Sequence, residues 1–195
     1  MLHPATELRY VHAKIGYGIF ATAPIPTGTL VWVADDLDLV IRGDQVADLP
    51  ELMRNDIRKF SYRNKDGSYT LPWDLARYVN HSCDANVRDL GYVGGIAVRD
   101  IHPDDEITGE LSTAQGEPFV CHCQSAQCRG TVHGRQDIQE YWQRWDERLR
   151  GVLHLVREVP QPILRCVKKD AYSQAIIQTL LGAGESVLPS HKDFL

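Results

Sequence analysis

A mainly β body followed by a helical tail is the architecture this 195-residue sequence predicts. Three observations carry that expectation. Short runs of β-branched and aromatic residues, separated by glycine and proline, occupy the first 110 or so positions. Three cysteines then crowd into VCHCQSAQCRG, residues 120 to 130. From Asp137 onward the apolar residues fall at helical spacing.

In chain order, LRYVHA (8–13) and GIFAT (18–22) read as strands, and KIGYG supplies two glycines for a tight turn between them. TLVWVA (29–34) is a third strand. Residues 45–55 read as a short helix. IRKFSYRN and SYTLPW flank Asn64, Lys65, Asp66 and Gly67, where Asp-Gly signals a hairpin. GIAVRDI (95–101) and EITGEL (106–111) are strands joined by His102, Pro103, Asp104 and Asp105. In the tail, Ile138, Tyr141, Trp142, Trp145, Leu149, Val152, Leu153 and Val156 form one apolar face that Pro160 and Pro162 terminate. Residues 170–182 give a second helix, with Gly182 and Gly184 beyond its end. The tail face is expected to pack on the body, with a homodimer interface as the alternative for an apolar stripe of this length.

Composition narrows the function classes. A hydrophobic fraction of 43% and a charged fraction of 24% are ordinary for a globular domain. No apolar run approaches ~18 residues, so no membrane span is expected, and the opening MLHPATELRY lacks the basic and apolar pattern of a secretory signal. The expected compartment is the cytoplasm. A net charge of -5 argues against direct nucleic-acid binding.

Five cysteines outside a secretory context favour metal ligation or free thiols over disulfides. Cys121, Cys123 and Cys128 lie close enough to converge on one soft cation, and polar neighbours such as His122, Gln124 and Arg129 argue against simple apolar burial. A closed structural zinc site takes four ligands. Cys83, His122, His133 and Cys166 are the candidates for the fourth; Cys166 otherwise reads as a buried structural thiol.

Taken in order, KIGYGIFATAPIPTGTLV, RYVNHSCDANV, GIAVRDIHPDDEITGEL and CHCQSAQCRG resemble the SET-domain protein lysine methyltransferases with a post-SET zinc-binding motif, over residues 8–130. The resemblance implies a fold of several small sheets with a knot-like threaded segment near its C-terminal end. It divides the chain into a SET domain (1–115), a post-SET segment (116–134) and a helical extension (135–195). It further implies S-adenosylmethionine on one face and a lysine side chain reaching it through a channel from the other. By position, Gly16, Tyr17, Gly18, Arg77, Asn80 and His81 would serve the cofactor. Cys83 would join Cys121, Cys123 and Cys128 around a structural zinc ion.

The chain departs from the family's pattern where a strand normally ends Glu-Leu-Thr-Tyr-Asp-Tyr. Here Glu106, Ile107, Thr108, Gly109, Glu110 and Leu111 stand, so both tyrosines are replaced. Leu75 and Ala85 are further departures, where asparagine and proline are usual. Three functions follow: a protein lysine methyltransferase in which Tyr17, Tyr62, Tyr69 or Tyr78 supplies the missing hydroxyl; an enzyme acting on a small-molecule acceptor, with Glu110 or a histidine supplying polar chemistry; or a noncatalytic S-adenosylmethionine-binding module. The first is the leading expectation.

Overall fold

The computed structural model describes residues 1–114, 118–183 and 188–194. Gly184 and the expected boundary at 115/116 lie outside the described residues. Among the described residues, twelve strands form four small sheets in the body and the cysteine segment, and the longest helix opens the tail.

β1 (Thr6–His12) and β2 (Gly16–Ala21) form a hairpin whose turn is Ala13–Ile15. The glycines expected in that turn therefore sit on β2 itself. β3 is Leu30–Val33 and β4 is Leu39–Ile41. The single helix expected over 45–55 is two: α1 (Gly43–Ala47) and α2 (Glu51–Phe60). Pro50 explains the break, because its ring disfavours helical geometry at Leu49 and it has no N–H to donate. α2 runs on through Ile57–Phe60, read from sequence as strand; Glu51 at its start and Arg58 and Lys59 at its end suit the helix dipole. β5 (Tyr62–Arg63) and β6 (Tyr69–Leu71) form the expected hairpin around Asp66-Gly67, and β4 pairs with β6 on its other side.

β7 (Asn80–His81), β8 (Val87–Asp89), β9 (Gly94–Ala97) and β10 (Glu106–Gly109) follow. β10 is shorter than the expected 106–111, since the backbone turns into a single 3-10 turn at Leu111–Thr113. Its placement decides the site: β10 pairs antiparallel with β2 and parallel with β7, giving a sheet ordered β1-β2-β10-β7. Strands from the start, middle and end of the body thus lie side by side. A second sheet has the order β3-β9-β8. β11 (Phe119–Val120) and β12 (Thr131–Val132) pair across the cysteine segment.

α3 (Arg135–Val152) and α4 (Ala171–Leu180) build the tail, with 3-10 turns at Leu153–Arg157, Leu164–Cys166 and His191–Phe194. Its apolar face is covered within the chain. Leu149, Val156, Ile163, Val167, Ile176, Ile177 and Leu180 share one buried cluster with Leu30, Val33, Leu90, Val93 and Ile96 of the β3-β9-β8 region. Gln161 reinforces the seam, accepting from Leu30 N at 2.8 Å and donating to Gly28 O at 2.9 Å. Trp145 is buried and Trp142 half-buried. Cys166, expected buried, is half-buried at the edge of the same cluster. No helix among the described residues is long and apolar enough to cross a membrane.

Because tail and body share one core, Leu149→Ala should lower the stability of the whole chain by about 2 to 5 kcal/mol. In urea unfolding, β-sheet and helix signals should lose stability together; separate transitions would show that the tail folds independently.

Candidate functional site

The parallel register of β7 with β10 places Asn80 opposite Thr108 and His81 opposite Gly109. Asn80 also reaches the first hairpin, its Nδ2 donating to Tyr17 O at 3.0 Å and to Glu106 Oε1 at 2.7 Å. Gly18 makes this approach feasible, since a Cβ there would stand 2.7 Å from Asn80 Nδ2 and closer still to Glu106. Gly16 has a different reason: its φ of +88° favours glycine, and no atom stands within 4 Å of where a Cβ would be. Asn86, within the NHSCDAN stretch but given no role in advance, pins β10 by donating to Glu106 O and accepting from Thr108 N, both at 2.9 Å.

His81 is buried, and desolvation moves its pKa down to about 4, so the ring is neutral at pH 7. The backbone N–H of Leu111 can only donate, and it lies 3.2 Å from Nδ1. Nε2 lies 3.3 Å from both Cys83 Sγ and Arg129 Nη2, and Nδ1 also lies 3.4 Å from Glu110 Oε1, so the ring touches all three groups whichever nitrogen carries the proton. His81 thus joins the turn after β10 to the cysteine cluster.

Cys83, Cys121, Cys123 and Cys128 bring their sulfurs within 4.8 Å of one another, with Cys83 and Cys121 at 3.8 Å. Four sulfurs at about 2.3 Å from a tetrahedral zinc ion would be spaced by about 3.8 Å, so the set fits the metal. Backbone N–H groups of Arg129 and Gly130 point at Cys83 Sγ (3.3 Å) and Cys128 Sγ (3.4 Å), as suits thiolate acceptors. Of the four candidates for the fourth position, the fold brings in Cys83; His122, His133 and Cys166 stay outside the cluster.

Glu110 is fully buried, and its carboxylate is committed. Arg129 Nη2 donates to both oxygens at 2.8 and 3.0 Å, Ser112 Oγ donates at 2.7 Å, and Arg88 stands 3.8 Å away. This corrects the expectation that Glu110 could be a free polar group for chemistry. Arg129 also lies 3.5 Å from Asp137 in the first turn of α3, and its guanidinium faces the rings of Tyr141 (5.3 Å) and Trp145 (5.8 Å).

Two cavities flank this core. One, of about 600 Å³, lies between the β1–β2 turn (His12, Ala13, Lys14) and the cysteine segment (Cys121, His122, Gln124, Cys128). The other, of about 110 Å³, is bounded by Val79, Gly109, Leu111 and a set of aromatic side chains. It therefore lies where both tyrosines are replaced. Of the four tyrosines considered from sequence, Tyr62 lines this cavity. Tyr17 is exposed and packs edge-on against Tyr10, Tyr78 packs on Phe60, and Tyr69 sits on β6 outside the lining. Burial pushes the Tyr62 hydroxyl well above its usual range, so it stays a neutral phenol. Tyr92, Phe194 and Asp89 also line the cavity and went unnoticed in the sequence, because no motif contains them. Arg77, expected near the cofactor, borders this cavity, its guanidinium over the Tyr78 ring.

Residues 16–109 match the family model of the SET domain. The chain is 32% identical over 80 residues to the histone-lysine N-methyltransferase Set2 of Drosophila melanogaster, an alignment covering 36% of this chain and 4% of that protein. Among solved structures it is similar to KRYPTONITE, determined in complex with mCHG DNA and SAH, with a TM-score of 0.44 and 21% identity over 63% of this chain and 28% of that one. A Plasmodium falciparum protein described as a histone methyltransferase gives a TM-score of 0.41 and 19% identity over 56% of this chain and 94% of that one. The chain thus spans only a small part of Set2 and under a third of KRYPTONITE.

Arg129→Met should cost about 3 to 5 kcal/mol, because it leaves Glu110 buried without its main counter-charge; the double variant Arg129→Met/Glu110→Gln should recover part of that loss in urea unfolding. Purified protein should carry one zinc per chain by elemental analysis, and Cys83→Ser should release it and lower the melting temperature.

Proposed function

We propose that this chain, whose residues 16–109 match the family model of the SET domain, is an S-adenosylmethionine-dependent methyltransferase that transfers a methyl group to a protein lysine ε-amine. The observation that carries the reading is the position of β10, which has the Asn80–Gly16–Gly18 constellation on its β2 and β7 flanks and ends in the wall of a separate cavity at Gly109. One strand therefore touches both the proposed donor constellation and the proposed acceptor cavity.

The open space in front of Gly16 and the 600 Å³ cavity beside it suit the donor. Backbone groups of Gly16, Tyr17 and Gly18, the Asn80 side chain and the His81 backbone would hold it. S-adenosylmethionine bound there supplies an electrophilic methyl on a sulfonium. The chain would contribute aim and dryness: β10 joins the donor flank to the wall of the smaller cavity, and the cysteine segment, which lines the larger cavity opposite the β1–β2 turn, would cover the donor side. Zinc on the four thiolates would be structural, with no position left for water. A net charge of -5 favours the approach of basic protein segments.

A second reading, a small amine as acceptor, draws on one observation: Phe194 lines the cavity that Gly109 and Leu111 leave without the usual tyrosines. Incubation with methyl-labelled S-adenosylmethionine and separate pools of histones, ribosomal proteins and free amino acids distinguishes the two. Label in protein is the expected result; label in the small-molecule pool supports the second reading, and donor binding without turnover would make the chain a noncatalytic module. A Cβ at Gly109 would meet only Val79, at 3.7 Å, so Gly109→Leu fills the cavity without backbone strain. It should abolish transfer while leaving donor affinity by calorimetry unchanged.

A further inference from the structure

Four aromatic rings run in series along the smaller cavity. Trp32 and Tyr62 have centroids 6.5 Å apart, Tyr62 and Tyr92 are stacked at 6.4 Å, and Tyr92 and Phe194 approach to 4.7 Å. Each ring face carries partial negative charge, and several faces around one space attract a cation more than an uncharged chain of equal size.

A carboxylate shares that wall. Asp89 ends β8, is enclosed by protein, and keeps part of its surface where it lines the cavity. Its Oδ2 stands 2.6 Å from Thr113 Oγ1. The other acid in the wall, Glu110, is taken by Arg129. Among the described residues no cation lies within salt-bridge distance of Asp89: Arg88 and His191 act on it only as nearby charges, with Glu110 opposing them, and burial raises its pKa above the usual carboxylate range. The cations of the lining do not reach it either. Lys59 is exposed and lies over the Phe60 ring, and Arg77 lies over Tyr78.

We propose that Asp89, together with Tyr62, Tyr92 and Phe194, forms the recognition site for the acceptor's ammonium group. An ammonium entering the cavity supplies the counter-charge that favours the ionised form of Asp89, so charge and ring faces together do the holding that a hydroxyl at position 109 or 111 would otherwise share. The inference rests on the smaller cavity being the acceptor site. It makes Asp89 a specificity-determining residue and gives the C-terminal turn at His191–Phe194 a part in substrate choice. That turn is held in place by His191, whose backbone N and ring Nδ1 both lie within 2.8 Å of Asp146 on α3.

The test uses n-butylammonium and its uncharged counterpart 1-pentanol, titrated against the full chain by ligand-detected NMR without methyl donor. The wild type should bind the ammonium at least about tenfold more tightly than the alcohol. Asp89→Asn, nearly isosteric, should erase that preference, and Phe194→Ala should weaken the ammonium. Equal binding of the two probes by wild type overturns the proposal without any variant, and so does a preference that survives in a folded Asp89→Asn. With a methylatable acceptor, Asp89→Asn should raise acceptor KM about tenfold at unchanged donor affinity. Ammonium binding without any methyl transfer would refute the proposed enzyme and leave this site standing; transfer with an unchanged KM in Asp89→Asn would overturn the site alone.

Discussion

The contact on which most of the structure turns is the buried pair of Glu110 and Arg129. Glu110 directly follows β10, and Arg129 directly follows the last of the four cysteines. A charge removed from water is costly unless it is matched, so each residue fixes the other's place. Arg129 extends the link, through Asp137 and the rings of Tyr141 and Trp145, to the first half of α3. One guanidinium thus ties the cysteine segment, the strand between the two cavities and the tail into one rigid arrangement.

His81 adds a second, parallel tie. Its ring lies 3.2 Å from Leu111 N on one side and 3.3 Å from Cys83 Sγ on the other, so one imidazole links a ligand of the expected metal to the turn that bounds the smaller cavity. Asn80, its neighbour on β7, faces the first hairpin instead. Two successive residues of a short strand point to opposite sides, as strand geometry requires, and each serves a different half of the site.

Much of this was legible in the residues. The thiols announced themselves by type and spacing, and Asn80 with the glycines by their order along the chain. What stayed hidden was pairing between distant positions. Glu110 looked like a free acid because nothing in sequence ties it to Arg129, and Asp89, Tyr92 and Phe194 carry no motif because they meet only after the tail returns to the body. Element limits failed for local reasons. Pro50 cut one expected helix in two, and the strand ending at Gly109 was overextended because Glu110 and Leu111 look equally suited to a strand until burial of the carboxylate turns the backbone.

The shared cluster of the tail and the β3-β9-β8 sheet also bears on synthesis. Leu30, Val33, Leu90, Val93 and Ile96 leave the ribosome well before Leu149, Ile176 and Leu180, the partners that cover them. Nascent chains emerge at roughly 5 to 20 residues per second, so an uncovered apolar sheet persists for several seconds at least. During that interval the growing polypeptide depends on chaperones or on its own transient collapse to stay clear of neighbouring chains.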